Sequence, residues 1–123
     1  MSASSSVQPL NLAQQLIQRH LISGELTPGS EIALHINQAL LQDVLGTLVM
    51  LELEAMGLDR VHTEPSVQDI DHGLVQADNL NAETYLLLKS ACERFGVWFF
   101  GPGNGISRPV HMESFGVPGE SIV

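Results

Sequence analysis

Positive charge is scarce in this chain of 123 residues: five Lys and Arg stand against fourteen Asp and Glu, for a formal net charge of −9. That balance repels phosphate backbones and anionic lipid head groups, so nucleic acid and membrane surfaces are excluded as expected partners. Cysteine is nearly absent. Cys92 stands alone, which rules out an intrachain disulfide and a Cys-x-x-Cys metal clamp and makes a reducing cytoplasm the expected compartment. No apolar run approaches the ~18 residues that a membrane-spanning helix needs. Basic residues are also missing from the amino-terminal MSASSSVQP, so residues 1–10 read as a flexible tail and not as a signal peptide. The remainder, 11–123, is about one domain's worth of chain.

What is present alternates between two hydrophobic periods. Asn11 is a candidate cap for a first helix over 11–22, in which Leu12, Leu16, Ile17 and Leu21 recur at helical spacing. After the turn cluster ELTPGSE, Ile32, Leu34 and Ile36 alternate with Ala33 and His35 as in a strand. Thr47 to Met56 is rich in helix formers, with Leu48, Leu51 and Ala55 as its expected inner face and Gly57 as its terminator. Arg60 to Thr63 reads as a short strand, and SVQDIDHGLVQADN as a polar connection over the surface. A third helix opens near Asn81, carries Tyr85, Leu88, Cys92 and Phe95 along one side and closes at Gly96. Val97 to Phe100 suits a buried strand, followed by the tight loop GPGNG. The alternation predicts an α/β fold, layered α/β/α around a small, mainly parallel sheet, with ligands held in loops at the carboxyl ends of its strands.

Asp71-His72 is the pair with chemistry in it. A carboxylate beside an imidazole fixes its tautomer and stabilises its protonated form, which suits general acid catalysis near neutral pH. The competing reading is a solvated loop or a helix cap. The backbone amides of GPGNGIS can present an anion-binding concavity, although the string matches neither a Walker pattern nor a dinucleotide fingerprint, and an ordinary turn is the simpler reading. His20, His35, His62 and His111 lack an i, i+4 histidine partner, so no histidine metal site is expected among them. Cys92 belongs to an apolar helix face and reads as a core residue.

The strings SGELTPGSEI, QDVLGTLVMLELEAMGLDRV, DIDHGL, ACERFGVWFF, PGNGIS and VHMESFGVPG, in this order, resemble the N-terminal portion of the aconitase and isopropylmalate dehydratase family, bacterial aconitate hydratases above all. The resemblance runs from Asn11 to the last residue. It implies the partial first domain of the aconitase fold. It also implies a hydro-lyase that dehydrates and rehydrates a hydroxy polycarboxylic acid such as citrate or isocitrate with a four-iron four-sulfur cluster, one iron of which is a Lewis acid. By the same resemblance Gln42 is a substrate-binding glutamine, and Asp71 and His72 form the pair that handles the proton of the departing hydroxyl.

Three departures qualify those expectations. Val44-Leu45 stand where the family has small residues, and Arg108 stands where it usually has a second catalytic histidine. Arginine does not titrate near neutrality, which leaves His111, three residues on, as the alternative. The sequence closes at Ser121-Ile122-Val123, where the family continues toward an Asp-Ser-His motif and three cluster cysteines. No cluster is therefore expected on this chain alone. The expected role is that of a truncated or split family member that keeps one wall of the active site and does not catalyse alone, with a complementing chain and a homo-oligomer as the alternative partners. The alternatives are a self-associating or partner-binding α/β fragment and a small enzyme that uses Asp71-His72 alone as a proton relay.

Overall fold

The computed structural model describes residues 9–75 and 77–123, so most of the expected tail lies outside it. The described chain divides into two compact units with the boundary after His35. In the first, helix α1 (Leu12–His20) opens with Asn11, whose side chain accepts from the Gln14 backbone N–H while the Gln14 side chain returns a bond to the Asn11 N–H. This reciprocal cap satisfies two amides that a helix start otherwise leaves open. The helix stops earlier than its apolar period suggests, because Leu21–Ser23 turns into strand β1 and pairs antiparallel with β2, Ala33–Leu34.

The second unit is an α/β layer. Its order is β3 (Ala39–Gln42), α2 (Asp43–Ala55), β4 (Ser66–Asp69), α3 (Asn79–Phe95), β5 (Trp98–Phe100) and α4 (Ser107–Phe115). The three strands are parallel in the order β3-β4-β5, with Gln42 opposite Asp69 and Asp69 opposite Phe100. Alternation along the strands separates two faces. Leu41 and Phe99 turn toward the core of Met50, Ile70, Leu88, Cys92, Phe95 and Val97, which α2 and α3 cover. Trp98 and Phe100 turn the other way and meet Phe115 of α4, each at 6.2 Å between ring centroids. Helices on both faces of a parallel sheet are the expected α/β/α layering.

Several local expectations need correction. Ser66–Asp69 is not a surface connection but the central strand, buried at every position. Its polar residues conceal it from a hydrophobicity criterion, and the ladders on both sides satisfy the backbone that a buried loop would strand. Arg60–Thr63 forms no strand. Strand β3 and helix α4 had no counterpart in the periodicity. Helix α2 begins at Asp43 and buries Gly46 and Met50, leaving Leu48 and Leu51 exposed. This helix is apolar nearly all round, so its composition did not indicate which face turns inward. Gly46 lies there for a steric reason: a β-carbon would fall 2.1 Å from Oε1 of buried Gln68. Helix α3 begins at Asn79, with Asp78 accepting from the Asn81 N–H, and ends as expected at Gly96, left-handed at φ 75°. Its Leu88, Cys92 and Phe95 are buried.

Candidate active site

All three parallel strands deliver polar groups to their carboxyl ends. Gln42 ends β3, Asp71-His72 follows β4, and Ser107 opens α4 after the glycine loop that leaves β5. Parallel strands terminate on one side of the sheet, so residues far apart in sequence converge there.

The convergence is close. Gln42 donates from Nε2 to the Ser107 hydroxyl at 2.5 Å and lies 3.4 Å from Asp71 Oδ2. Asp71 Oδ2 accepts from the Ser107 backbone N–H at 2.9 Å, and its Oδ1 stands 2.6 Å from His72 Nδ1. The amide at the start of α4, next to the glycine loop that reads most simply as an ordinary turn, is thus filled by a carboxylate of the protein itself. Such a position favours negative charge, because the first N–H groups of a helix lack internal partners.

A second carboxylate was missed as a site residue. Asp43, at the start of α2, accepts from the backbone N–H of His72 at 3.3 Å and of Gly73 at 2.6 Å, and lies 3.2 Å from His72 Nδ1. From the other side Tyr85 of α3 donates its hydroxyl to the Gly73 carbonyl. Gly73 has no room for a side chain: a β-carbon would meet Tyr85 Oη and Asp43 Oδ2. The loop carrying His72 is therefore clamped between two helices. The ring itself is 53% exposed, so Nε2 is the nitrogen left for exchange while Nδ1 faces the two acids. The adjacency of Gln42 and Asp43 in sequence was the available signal for this role.

Electrostatics separates the acids. Burial alone would raise Asp71, but the backbone and hydroxyl of Ser107 and the neighbouring His72 hold it below the ordinary carboxylate range. Asp69 moves the other way. Burial pushes it up, Asp71 and Asp43 add to the rise, and the Ile70 backbone and Asn104 side chain offset only part.

Of the two residues considered for the second proton-handling position, Arg108 lines the same groove as Gln42 and His72, together with Leu40, Val44 and Leu45. His111 points elsewhere. It is buried, with Nε2 2.9 Å from Gln38 Oε1 and its ring against Phe115, and burial lowers its pKa. Cys92 sits in the core with its thiol pushed up to about 12 by burial and then by Glu93. Iron–sulfur clusters are held by several thiolates, and one protonated core thiol does not fit that requirement.

No family model matches the chain. Individual proteins do. Aconitate hydratase, mitochondrial, of Candida albicans is 28% identical over 94% of this chain and 17% of its own length. Homocitrate dehydratase, mitochondrial, of Saccharomyces cerevisiae is 27% identical over 90% of this chain and 16% of its own. A probable aconitate hydratase, mitochondrial, of Caenorhabditis elegans is 28% identical over 94% and 17%. The chain spans about a sixth of the length of the curated relatives it matches.

Proposed function

We propose that this chain, similar to aconitate hydratases and a homocitrate dehydratase, is the N-terminal part of an aconitase-family hydro-lyase acting on a hydroxy polycarboxylic acid, inactive by itself. The observation that carries this reading is the meeting of Gln42, Asp71 and His72 at the carboxyl ends of the parallel strands. In this reading the Gln42 amide binds a substrate oxygen. Asp71 and Asp43 hold His72 Nδ1, and Nε2 gives the proton with which a departing hydroxyl leaves as water; in the reverse direction it takes that proton back. The one thiol of the chain is buried and does not hold a cluster by itself, so this reading assigns the chain substrate binding and proton handling alone. A reducing compartment such as the cytoplasm suits a chain whose one thiol is buried.

Complementation tests the proposal. The purified chain, incubated anaerobically with iron and sulfide, is expected to show no aconitate hydration. Added to an aconitase polypeptide lacking the corresponding segment, it is expected to restore activity, and His72→Ala to remove that gain. Robust hydration by the chain alone would overturn the claim of inactivity, and full restoration by His72→Ala would overturn the assigned role of His72.

One observation favours a second reading, a self-associating or partner-binding fragment. Val44, Leu45, Leu48 and Leu51 of α2 are all more than half exposed, and contiguous apolar surface of this kind marks an interaction site. Light scattering on the purified chain separates the two: a monomer at high concentration counts against self-association.

A further inference from the structure

We infer that the groove beside His72 selects a hydroxy acid that sets one carboxylate on Arg108 and lays a hydrocarbon arm along the start of α2. The groove has a volume of about 370 Å³, within the range of small-molecule sites, roughly 300–1,000 Å³. Its lining is of two kinds. Leu40, Val44, Leu45 and Val49 supply hydrocarbon, whereas Gln42, His72 and Arg108 supply the polar groups. Val44 and Leu45 are more than half exposed, so both offer apolar surface that a ligand can cover.

Arg108 is the fixed cation of this groove, and its charge is uncompensated. Among the described residues it has no ion pair and no hydrogen bond, unlike Arg94, which pairs with Glu54. The two acids beside His72 do not claim it. Asp71 is taken by the Ser107 N–H and His72, and Asp43 by the N–H groups of His72 and Gly73. A guanidinium presents its donors in a planar fork that matches a carboxylate, and it stays charged at every working pH.

The hydrocarbon wall excludes a second charge. An unpaired carboxylate set against it loses water without gaining a partner. An alkyl arm gains instead: each fully buried methylene is worth about fourfold in affinity, so a branched arm half covered by this wall is expected to add roughly tenfold. The net charge of −9 acts in the same direction, repelling a tricarboxylate more strongly than a monocarboxylate. Val44-Leu45 and Arg108 are also positions at which the sequence departs from the family it resembles, and the fold brings them to one groove. Further carboxylates of a polycarboxylic substrate then face away from this wall. That the ligand carries a hydroxyl rests on the hydro-lyase reading, whereas its carboxylate and its hydrocarbon arm follow from the groove itself.

The test is an NMR titration of the full chain, at constant ionic strength, with 2-hydroxy-4-methylpentanoate, lactate and citrate. The first is expected to give saturable shifts of the Val44 and Leu45 methyl groups and of the Arg108 Nε–H. Lactate, with the same head and no arm, is expected to bind roughly tenfold more weakly, and citrate no more tightly than lactate. Arg108→Gln is expected to weaken the branched acid about tenfold, with Arg108→Lys in between, because lysine keeps the charge and loses the fork. Val44→Ala combined with Leu45→Ala is expected to bring the branched acid down to lactate and leave lactate unchanged. All three side chains are exposed, so these variants leave the core intact. Tighter binding of citrate, undiminished binding by Arg108→Gln, or no saturable shift of these signals up to the solubility limit overturns the inference. Binding needs neither turnover nor a second polypeptide. Failed complementation with the preference intact therefore sinks the hydro-lyase reading alone, and restored activity without the preference sinks this inference alone.

Discussion

Replacing Asp71 by Asn isolates what its negative charge contributes. The side chain is 7% exposed, so solvent screens it little. Its carboxylate accepts from the Ser107 N–H and faces His72 Nδ1. Hydrogen bonds to a charged group contribute roughly 1.5–3 kcal/mol each, against about 1 kcal/mol for neutral ones. Asn can still accept from Ser107, but its amide then turns a donor toward His72 Nδ1. Two weakened bonds imply a loss of roughly 1–4 kcal/mol, and relief of the repulsion between Asp71 and Asp69 returns part of it. The expected cost at pH 7 is about 2 kcal/mol. Because the folded pKa of Asp71 is lowered, this stability is fully present above the unfolded value, near 3.8. It is lost as pH falls through the lower folded value. Urea unfolding followed by Trp98, the one tryptophan, should show the gap between variant and parent at pH 7 and its closure in strong acid. A gap that is the same at both pH values, or a variant more stable than the parent at pH 7, would refute the reasoning.

Other expectations follow from burial and space. Cys92, with its thiol pushed up to about 12, should resist a disulfide reagent at pH 8 in the native protein and react stoichiometrically in urea; fast native labelling would contradict its place in the core. Gly46→Ala puts a β-carbon against the buried Gln68 side chain and should cost about 1–3 kcal/mol, read as a lower urea midpoint, whereas an unchanged midpoint would mean that Gln68 moves freely. His111 is held neutral by burial, so its contribution is intact above the unfolded value, near 6.5, and is lost as pH falls below it. The urea midpoint should therefore drop between pH 7 and pH 5 and drop less in His111→Gln, and equal slopes would assign the effect to other groups.

How much was legible in the sequence depended on whether a local rule applied. Asn11, Gly96 and the Leu88-Cys92-Phe95 face follow from capping and helical period, and the structure shows each in its expected place. Strand β4 was missed because three of its four buried residues, Ser66, Gln68 and Asp69, are polar, and the inner face of α2 was misjudged because the helix carries apolar residues on every side. The role of Asp43 needed coordinates. Sequence places it beside Gln42, but only the packing of α2 against the loop after β4 brings its carboxylate to the N–H groups of His72 and Gly73. The choice between Arg108 and His111 was likewise tertiary: on one helix, the first lines the groove and the second turns to Gln38.

By itself the sequence determined the charge of the molecule, its α/β alternation and the Asp71-His72 adjacency, since each rests on composition or on neighbours a few positions apart, whereas Gln42 stood out only through the family resemblance. The tertiary structure decided which groups meet. Three parallel strands that end on one side of a sheet bring together residues dozens of positions apart, and no local periodicity encodes that distance.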